Sequence, residues 1–404
     1  WRIPGSCRGP YHARMDAVVI GGGHAGLATS QQLAQRDIEH VVLERGRIGQ
    51  TWRSQRWDTF TLNTPSWMNR MPGDGESDLA EPLDGFIGHG QLVERLQDYA
   101  MRWDLPVREG ANVGSVERDN GGFAVHLEGG DVIEAGSVVA ASGIQNIPRL
   151  PAVASAMPSS VLQLPALEYK CPGDLPPGAV IVVGAGQTGG QVTEDLLRGG
   201  REVYWSVSAV SRVPRRYRGR DILEWLVDAG FYETPLESVA DPAELTATMP
   251  IISGVGRYGH TLSLQWLAAR GAKLVGRITT VNGTALELDD SVERCLRFGD
   301  QRSAEVRQMI DQGIGDAGME LPPIEEDEAD ESFDGYEELI SPERLDLAAA
   351  GVSTIVWATG VTGDYGYLPD GATTADGLPE HDHGASGVPG IDYVGLPWLT
   401  RRGS

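Results

Sequence analysis

The sequence is short of cysteine. Its three, Cys7, Cys171 and Cys295, lie far apart in 404 residues, which excludes a disulfide framework, a cysteine-rich metal box and a closely spaced redox dithiol. Histidine is scarce too, and the eight present supply no HExxH pattern. His381-Asp382-His383 falls in a Gly/Pro-rich stretch and reads as a solvated loop, so no metal centre is expected. No apolar run approaches the ~20 residues that span a bilayer, and no secretory h-region is seen. A reduced, cytoplasmic protein is the expectation. Lysine and arginine are outnumbered 33 to 57, for a net charge of −24. Such acidity argues against nucleic acid or an anionic membrane as the main partner, because phosphate binding needs a basic surface. Residues 1–14 are rich in Gly, Pro and Arg and read as a leader outside the fold.

Glycine is plentiful: 53 residues, roughly twice the ordinary usage of about 7%. Two clusters follow β-like apolar runs, Gly21-Gly-Gly23-His-Ala-Gly26 after Asp16–Ile20 and Gly184-Ala-Gly186-Gln-Thr-Gly189 after Ala179–Val183. Each leads into a helix-like stretch, Ala25–Arg36 or Thr188–Arg198, and then into an extended run, His40–Glu44 or Arg201–Ser206. Both clusters fit GxGxxG. The first glycine permits the turn, the second admits a pyrophosphate, the third lets helix and strand pack, and the helix N-terminus offers N–H groups to the phosphates. The expected fold class is therefore α/β, with two Rossmann-like dinucleotide-binding domains.

The two extended runs end differently. Glu44, 23 residues beyond Gly21, can accept from a ribose 2′-OH, as FAD or NAD requires. The second run ends at Ser206 without an acid and is followed by Ser208, Arg212, Arg215 and Arg216. Hydroxyls and guanidinium groups attract a 2′-phosphate that a carboxylate would repel, so this site is expected to take NADPH. Two further strands end alike, in Ala141-Ser142-Gly143 and Ala358-Thr359-Gly360, where backbone can pass close to a cofactor.

Together these residues resemble the two-dinucleotide-binding flavoproteins, specifically the flavin-containing (class B) monooxygenases. The resemblance runs from Met15 to Trp398 and is loose over 220–340. Gly49-Gln-Thr51-Trp52-Arg53 looks like the family's G-x-x-W segment beside the flavin. Leu62-Asn63-Thr64-Pro65 resembles the segment that places an asparagine near flavin C4a, and Ala358–Tyr365 is similar to the late ATG-x-x-x-D motif. Tyr169-Lys170 matches part of the fingerprint before the NADPH motif and favours heteroatom oxidation over Baeyer–Villiger chemistry. Pro165 stands where the fingerprint has histidine. The resemblance implies that NADPH reduces FAD, that O₂ adds at C4a, and that the hydroperoxide passes one oxygen to a soft N or S of a small molecule.

The catalytic residues expected on this basis are Asn63, Tyr169 and Lys170. FAD is expected at Gly21, Gly23, Gly26, Glu44, Arg45, Thr51, Trp52 and Ser142. NADPH is expected at Gly184, Gly186, Gln187, Thr188, Gly189, Ser206, Arg212 and Arg215, with Thr359 and Gly360 at the second closing strand. Three alternatives stay open: a flavin oxidase or reductase without a stable hydroperoxide, a Baeyer–Villiger enzyme, and a flavin-binding redox sensor. A pyridine-nucleotide-disulfide reductase is excluded by the cysteine spacing.

The expected layout is an FAD domain over 15–150 and 335–404, with an NADPH domain inserted at 151–334. Hinges are expected near Pro148–Pro151 and near an acidic run. That run carries ten acids and no Lys or Arg between Glu320 and Glu338 and reads as a solvated linker. Asp221–Val227 and Leu262–Ala268 read as amphipathic helices of a substrate cap. A small-molecule substrate and O₂ are the expected partners, and a homodimer is the assembly considered.

Overall fold

Two sheets organise the chain, one mixed and one parallel, each with a glycine-rich βαβ pattern at its centre. The computed structural model describes residues 14–403 apart from 81, 242–243, 246–249, 252, 255, 257–258, 317, 319 and 336–340. Cys7, nearly all of the expected leader and the last acids of the acidic run lie outside the described residues.

In the first sheet the strand Met15–Ile20 lies between His40–Glu44 and Val132–Ala140, parallel to both. Val107–Glu109 and Ile391–Tyr393 extend it on either side, again parallel. A meander, Val113–Asp119 and Gly122–Leu127, adds antiparallel onto Val132–Ala140. Val18, Val19 and Val42 are fully buried, as expected of central parallel strands covered on both faces. The second sheet runs Lys273–Val275, Val203–Ser206, Ala179–Val183, Val352–Trp357, Leu162–Pro165, all parallel. Pro165 sits at the end of its edge strand opposite Trp357, where a missing N–H is tolerated.

The strand Val352–Trp357 corrects the expected domain boundary. The chain stays in the second domain through Trp357 and returns only afterwards, not at 335. The return crosses beside the outward connector: Val361–Thr362 pairs antiparallel with Ile147–Pro148. The hinge expected at Pro148 therefore has its partner here, and the acidic run is not the other half of it.

Nor is that run simply solvated. Glu325, Glu326 and Glu328 are exposed, but Asp330 is buried. Asp330 receives the Arg212 guanidinium and the Ser303 hydroxyl, and Asp300 accepts from Arg212 at 2.6 Å. Asp327 accepts from Thr261 at 2.5 Å. The acids fold back because a buried arginine needs paired charge.

The expected helices form as Ile222–Asp228 and Leu264–Ala269, capped by Asp221 and Ser263, whose side chains accept from Leu223 N and Trp266 N. The long helix Val292–Asp316 was not separately legible. Its buried stripe passes through Gly299 and Ser303, small residues beside Arg212, so its hydrophobic period is interrupted. No helix is long and apolar enough to cross a membrane among the described residues.

Removing one partner from a buried ion pair leaves an uncompensated charge, a loss of about 3–5 kcal/mol. Asp330→Ala leaves Arg212 with Asp300 alone and Arg307 without its carboxylate, and is expected to lower the free energy of chemical unfolding by up to about 3 kcal/mol. An unchanged denaturation midpoint would show that Arg212 does not depend on the acidic run.

Candidate active site

The first glycine turn is shaped by backbone contact. Gly21 has φ +118°, and a Cβ there would overlap the carbonyl oxygen of Ala141. A Cβ on Gly26 would overlap the carbonyl oxygen of Gly21. Only glycine fits either place. The helix His24–Ala34 then starts at Gly23 with no acid in its first turn, so its N–H groups face open space suited to phosphate.

The second turn repeats these relations. Gly184 has φ +116° and is crowded by the Ala358 carbonyl, and Gly189 is crowded by the Gly184 carbonyl. The alanines of the two closing strands, Ala141 and Ala358, thus lock the glycine turns from behind. The helix Gln187–Arg198 begins at Gly186, also without an acid in its first turn.

A cavity of about 650 Å³ opens over the first turn, within the ~300–1,000 Å³ of small-molecule and cofactor sites. Of the residues expected at FAD, Gly21, Gly23, Glu44, Arg45, Thr51, Trp52 and Ser142 line it, while Gly26 acts from behind through packing. The Glu44 carboxylate accepts from Gly22 N at 2.7 Å and Gly46 N at 2.9 Å, which fixes it at the cavity wall with lone pairs to spare for ribose hydroxyls. Arg45 donates to Asn146 Oδ1 at 3.1 Å. Ser142 Oγ and the Tyr367 hydroxyl are 3.0 Å apart, and burial pushes the Tyr367 pKa up, so it stays neutral. The glycine cradle, the free helix start and the fixed carboxylate fit an FAD.

Sequence reasoning missed several wall residues: His24, Arg56, Asn112, Gln145, Asn146 and Tyr367. Arg56 is the most consequential. Its guanidinium stacks 4.4 Å from the Trp52 ring centre and 5.3 Å from that of Phe60, and it donates to Gln145. Burial lowers its pKa to about 10, which leaves it cationic at neutral pH. Its position one residue before Trp57, a helical turn after Trp52, was the available signal.

The three expected catalytic residues do not line this cavity; they occupy the seam between the domains. Asn63 accepts from Gln191 Nε2 at 3.4 Å through its side chain and from Arg215 at 2.8 Å through its carbonyl. Tyr169 is fully buried and donates to Asp195 at 2.6 Å, where Thr59 also donates at 2.7 Å. Burial and Asp195 push its pKa far above the usual range, so it acts as a fixed donor. Lys170 donates to the carbonyls of Ser54 (2.5 Å) and Arg56 (2.9 Å), and burial lowers its pKa. Tyr169 and Lys170 thus position the segment that carries Arg56.

At the second nucleotide site the basic residues need correction. Arg212 is bound to Asp300 and Asp330, and Arg215 to Asp221, with the Phe86 ring 4.5 Å away. Both are buried and charge-neutralised, so neither is free to receive a 2′-phosphate. Ser206 turns its hydroxyl onto the Gly276 carbonyl at 2.9 Å. Gln187 donates to Ser253 O at 2.5 Å, and Thr188 is exposed at the helix start. Thr359 bonds the Arg149 carbonyl at 2.5 Å while its backbone N lies 3.5 Å from where a Gly184 Cβ would stand, beside the second glycine turn, and Gly360 has φ +95°.

Comparison with known proteins agrees with this architecture. Residues 18–223 match the family described as pyridine nucleotide-disulphide oxidoreductase. An oxidoreductase described as CzcO-like from Geobacillus kaustophilus is 27% identical over 393 residues, covering 96% of this chain and 93% of that protein. An indole-3-pyruvate monooxygenase of Oryza sativa subsp. japonica is 30% identical over 301 residues, 70% of this chain and 71% of that protein. The solved structure of a flavin-containing monooxygenase from Stenotrophomonas maltophilia superposes with a TM-score of 0.61 at 17% identity, covering 96% of this chain and 92% of that one, and shares the fold.

A methyl group on Gly26 would press on the Gly21 carbonyl and open the turn, so Gly26→Ala is expected to be purified with most of its flavin absorbance lost. Full flavin occupancy in that variant would show that the turn can relax. With its two glycine cradles and the cavity over the first of them, the chain belongs to the pyridine nucleotide-disulphide oxidoreductase family and is a flavin-dependent oxidoreductase of the flavin-containing monooxygenase class.

Proposed function

We propose that the protein uses NADPH and O₂ to oxygenate a soft nitrogen or sulfur atom of a small molecule. The observation that carries this reading is the placement of Asn63. Its amide lies where the first domain meets the helix Gln187–Arg198, which starts at the second glycine turn. A group in that seam sits between the two cofactor cradles, where nicotinamide and flavin must meet. The bound flavin would supply hydride acceptance and oxygen transfer. The chain would contribute position, charge and exclusion of water.

Three roles follow for its own residues. Arg56 places a buried cation in the cavity wall, held from behind by Lys170 through the Arg56 carbonyl. Trp52, Trp57 and Phe60 cluster there, with Trp57 and Phe60 edge to face at 5.0 Å, and keep water from the reacting face. The Asn63 side-chain oxygen faces Gln191, which turns its NH₂ away from that helix and leaves it to donate to a polar oxygen without being a strong acid.

A second reading, a flavin oxidase or reductase without oxygen transfer, is favoured by the inward orientation of Tyr169 and the absence of the fingerprint histidine at Pro165. The name of the rice relative adds a 2-oxo acid to the substrates worth assaying.

The test is a balance of NADPH consumed, oxygenated product formed and H₂O₂ released over a panel of amines, thioethers and 2-oxo acids. Product matching NADPH with an amine or thioether supports the proposal. Stoichiometric H₂O₂ with every compound selects the oxidase reading. Asn63→Ala is expected to raise the H₂O₂ share severalfold while bound flavin is kept, and unchanged coupling would remove Asn63 from the reaction.

A further inference from the structure

In doubly wound sheets the residue that reads the adenosine ribose stands at the carboxyl end of the second strand, in the crevice where ligands bind. Here that strand is Val203–Ser206, and its end holds no usable charge. Ser206 is bound to Gly276 O, Val207 is buried, and the following arginines 212 and 215 are neutralised by carboxylates. Arg216 lies on a small hairpin, 3.9 Å from Asp84.

The neighbouring strand Lys273–Val275 brings a different cation to the same crevice. It runs parallel to Val203–Ser206, with Ser206 opposite Val275. Val207 N donates to Val275 O at 3.0 Å, and the Ser206 hydroxyl reaches Gly276 O, so the two strand ends are tied side by side. The next residue is Arg277. Its backbone N–H donates to Asp289 Oδ1 at 2.8 Å and its carbonyl accepts from Asp289 N at 3.0 Å. Gly276 has no room for a Cβ against the Asp289 carbonyl. The main chain at 276–277 is thus fixed, while the Arg277 side chain is exposed and makes no hydrogen bond or ion pair among the described residues.

The surrounding charges favour an anion there. Asp289, whose charge is felt by Arg277, spends its Oδ1 on the N–H groups of Arg277 and Ser291 and on the Ser291 hydroxyl rather than on the guanidinium. Arg294, in the first turn of the helix Val292–Asp316, is a second exposed cation with no ion pair among the described residues. The loop after Ser206 runs along that helix, with Val210 O 3.6 Å and Arg212 Cγ 3.7 Å from where a Gly299 Cβ would stand. Second-strand end, edge-strand end and helix start therefore converge. On a protein of net charge −24, an unpaired guanidinium at this point is a local exception.

We propose that Arg277, delivered by the edge strand Lys273–Val275 of the second sheet, reads the 2′-phosphate of the nicotinamide nucleotide and sets the preference for NADPH over NADH. This rests on the reading of the second glycine turn as the nicotinamide nucleotide site. It replaces Arg212 and Arg215 in that role.

Binding separates the two readings without any turnover. Isothermal titration of the flavin-loaded protein with 2′,5′-ADP and with 5′-AMP isolates the contribution of the 2′-phosphate. A charge-assisted contact predicts that 2′,5′-ADP binds about ten- to hundredfold more tightly than 5′-AMP. In Arg277→Ala that advantage is expected to fall at least severalfold, with 5′-AMP affinity unchanged, and Arg277→Lys is expected to keep part of it. An undiminished advantage in Arg277→Ala, or equal binding of both probes by the unaltered protein, overturns the proposal and leaves the nucleotide site standing. Binding of neither probe overturns both. Flavin absorbance and melting temperature, measured in parallel, confirm that the exposed substitution leaves the fold intact.

Discussion

The contact on which most of this structure depends is between backbone and backbone. At Gly21 and again at Gly184 the chain turns with positive φ directly against the carbonyl of an alanine from a distant strand, Ala141 in one domain and Ala358 in the other. A side chain at either glycine would push the closing strand away. The helix that follows would then lose its seat, because Gly26 and Gly189 press on the carbonyls of Gly21 and Gly184 in turn. Turn, helix start and closing strand are one unit, built twice. The open helix N-terminus over which the first cavity lies is a consequence of that packing.

Charge follows a different logic. The excess of acid looks like a linker in the linear chain and the arginines after Ser206 look like a phosphate site. The fold brings these two groups together: Arg212 meets Asp330 and Asp300, and Ser303 and Arg307 complete the cluster around Asp330. A guanidinium held by two carboxylates has no charge to offer a ligand. The same reasoning makes exposed, unpaired Arg277 the more capable residue, although nothing in its local sequence marks it.

The seam between the domains joins both nucleotide cradles to one short segment. Residues 54–63 are held by Lys170 at one end, by Tyr169 and Thr59 sharing Asp195 in the middle, and by Gln191 and Arg215 on Asn63 at the other. Asp195 and Gln191 both lie on the helix that starts at the second glycine turn. Positioning of Arg56 and Asn63 therefore belongs to the second domain as much as to the first.

The sequence by itself determined the local units: both GxGxxG turns, the flanking strands, Glu44 at its strand end, the two capped helices, and most of the cavity wall from Gly21 to Ser142. These are legible because short-range sterics and hydrogen bonding dictate them, with glycine where φ is positive and a carboxylate a fixed distance along a βαβ unit. Only the tertiary structure decided which domain owns Val352–Trp357, that Tyr169 and Lys170 point inward, that Arg212 and Arg215 are neutralised, and that Arg56 and Arg277 are not. Those depend on contacts that only the fold makes: Asp330 lies 118 residues from Arg212 and Asp195 26 from Tyr169, while Asp221, six residues from Arg215, reaches it across a small hairpin. An arginine reads the same in sequence whether or not the fold supplies it with a carboxylate.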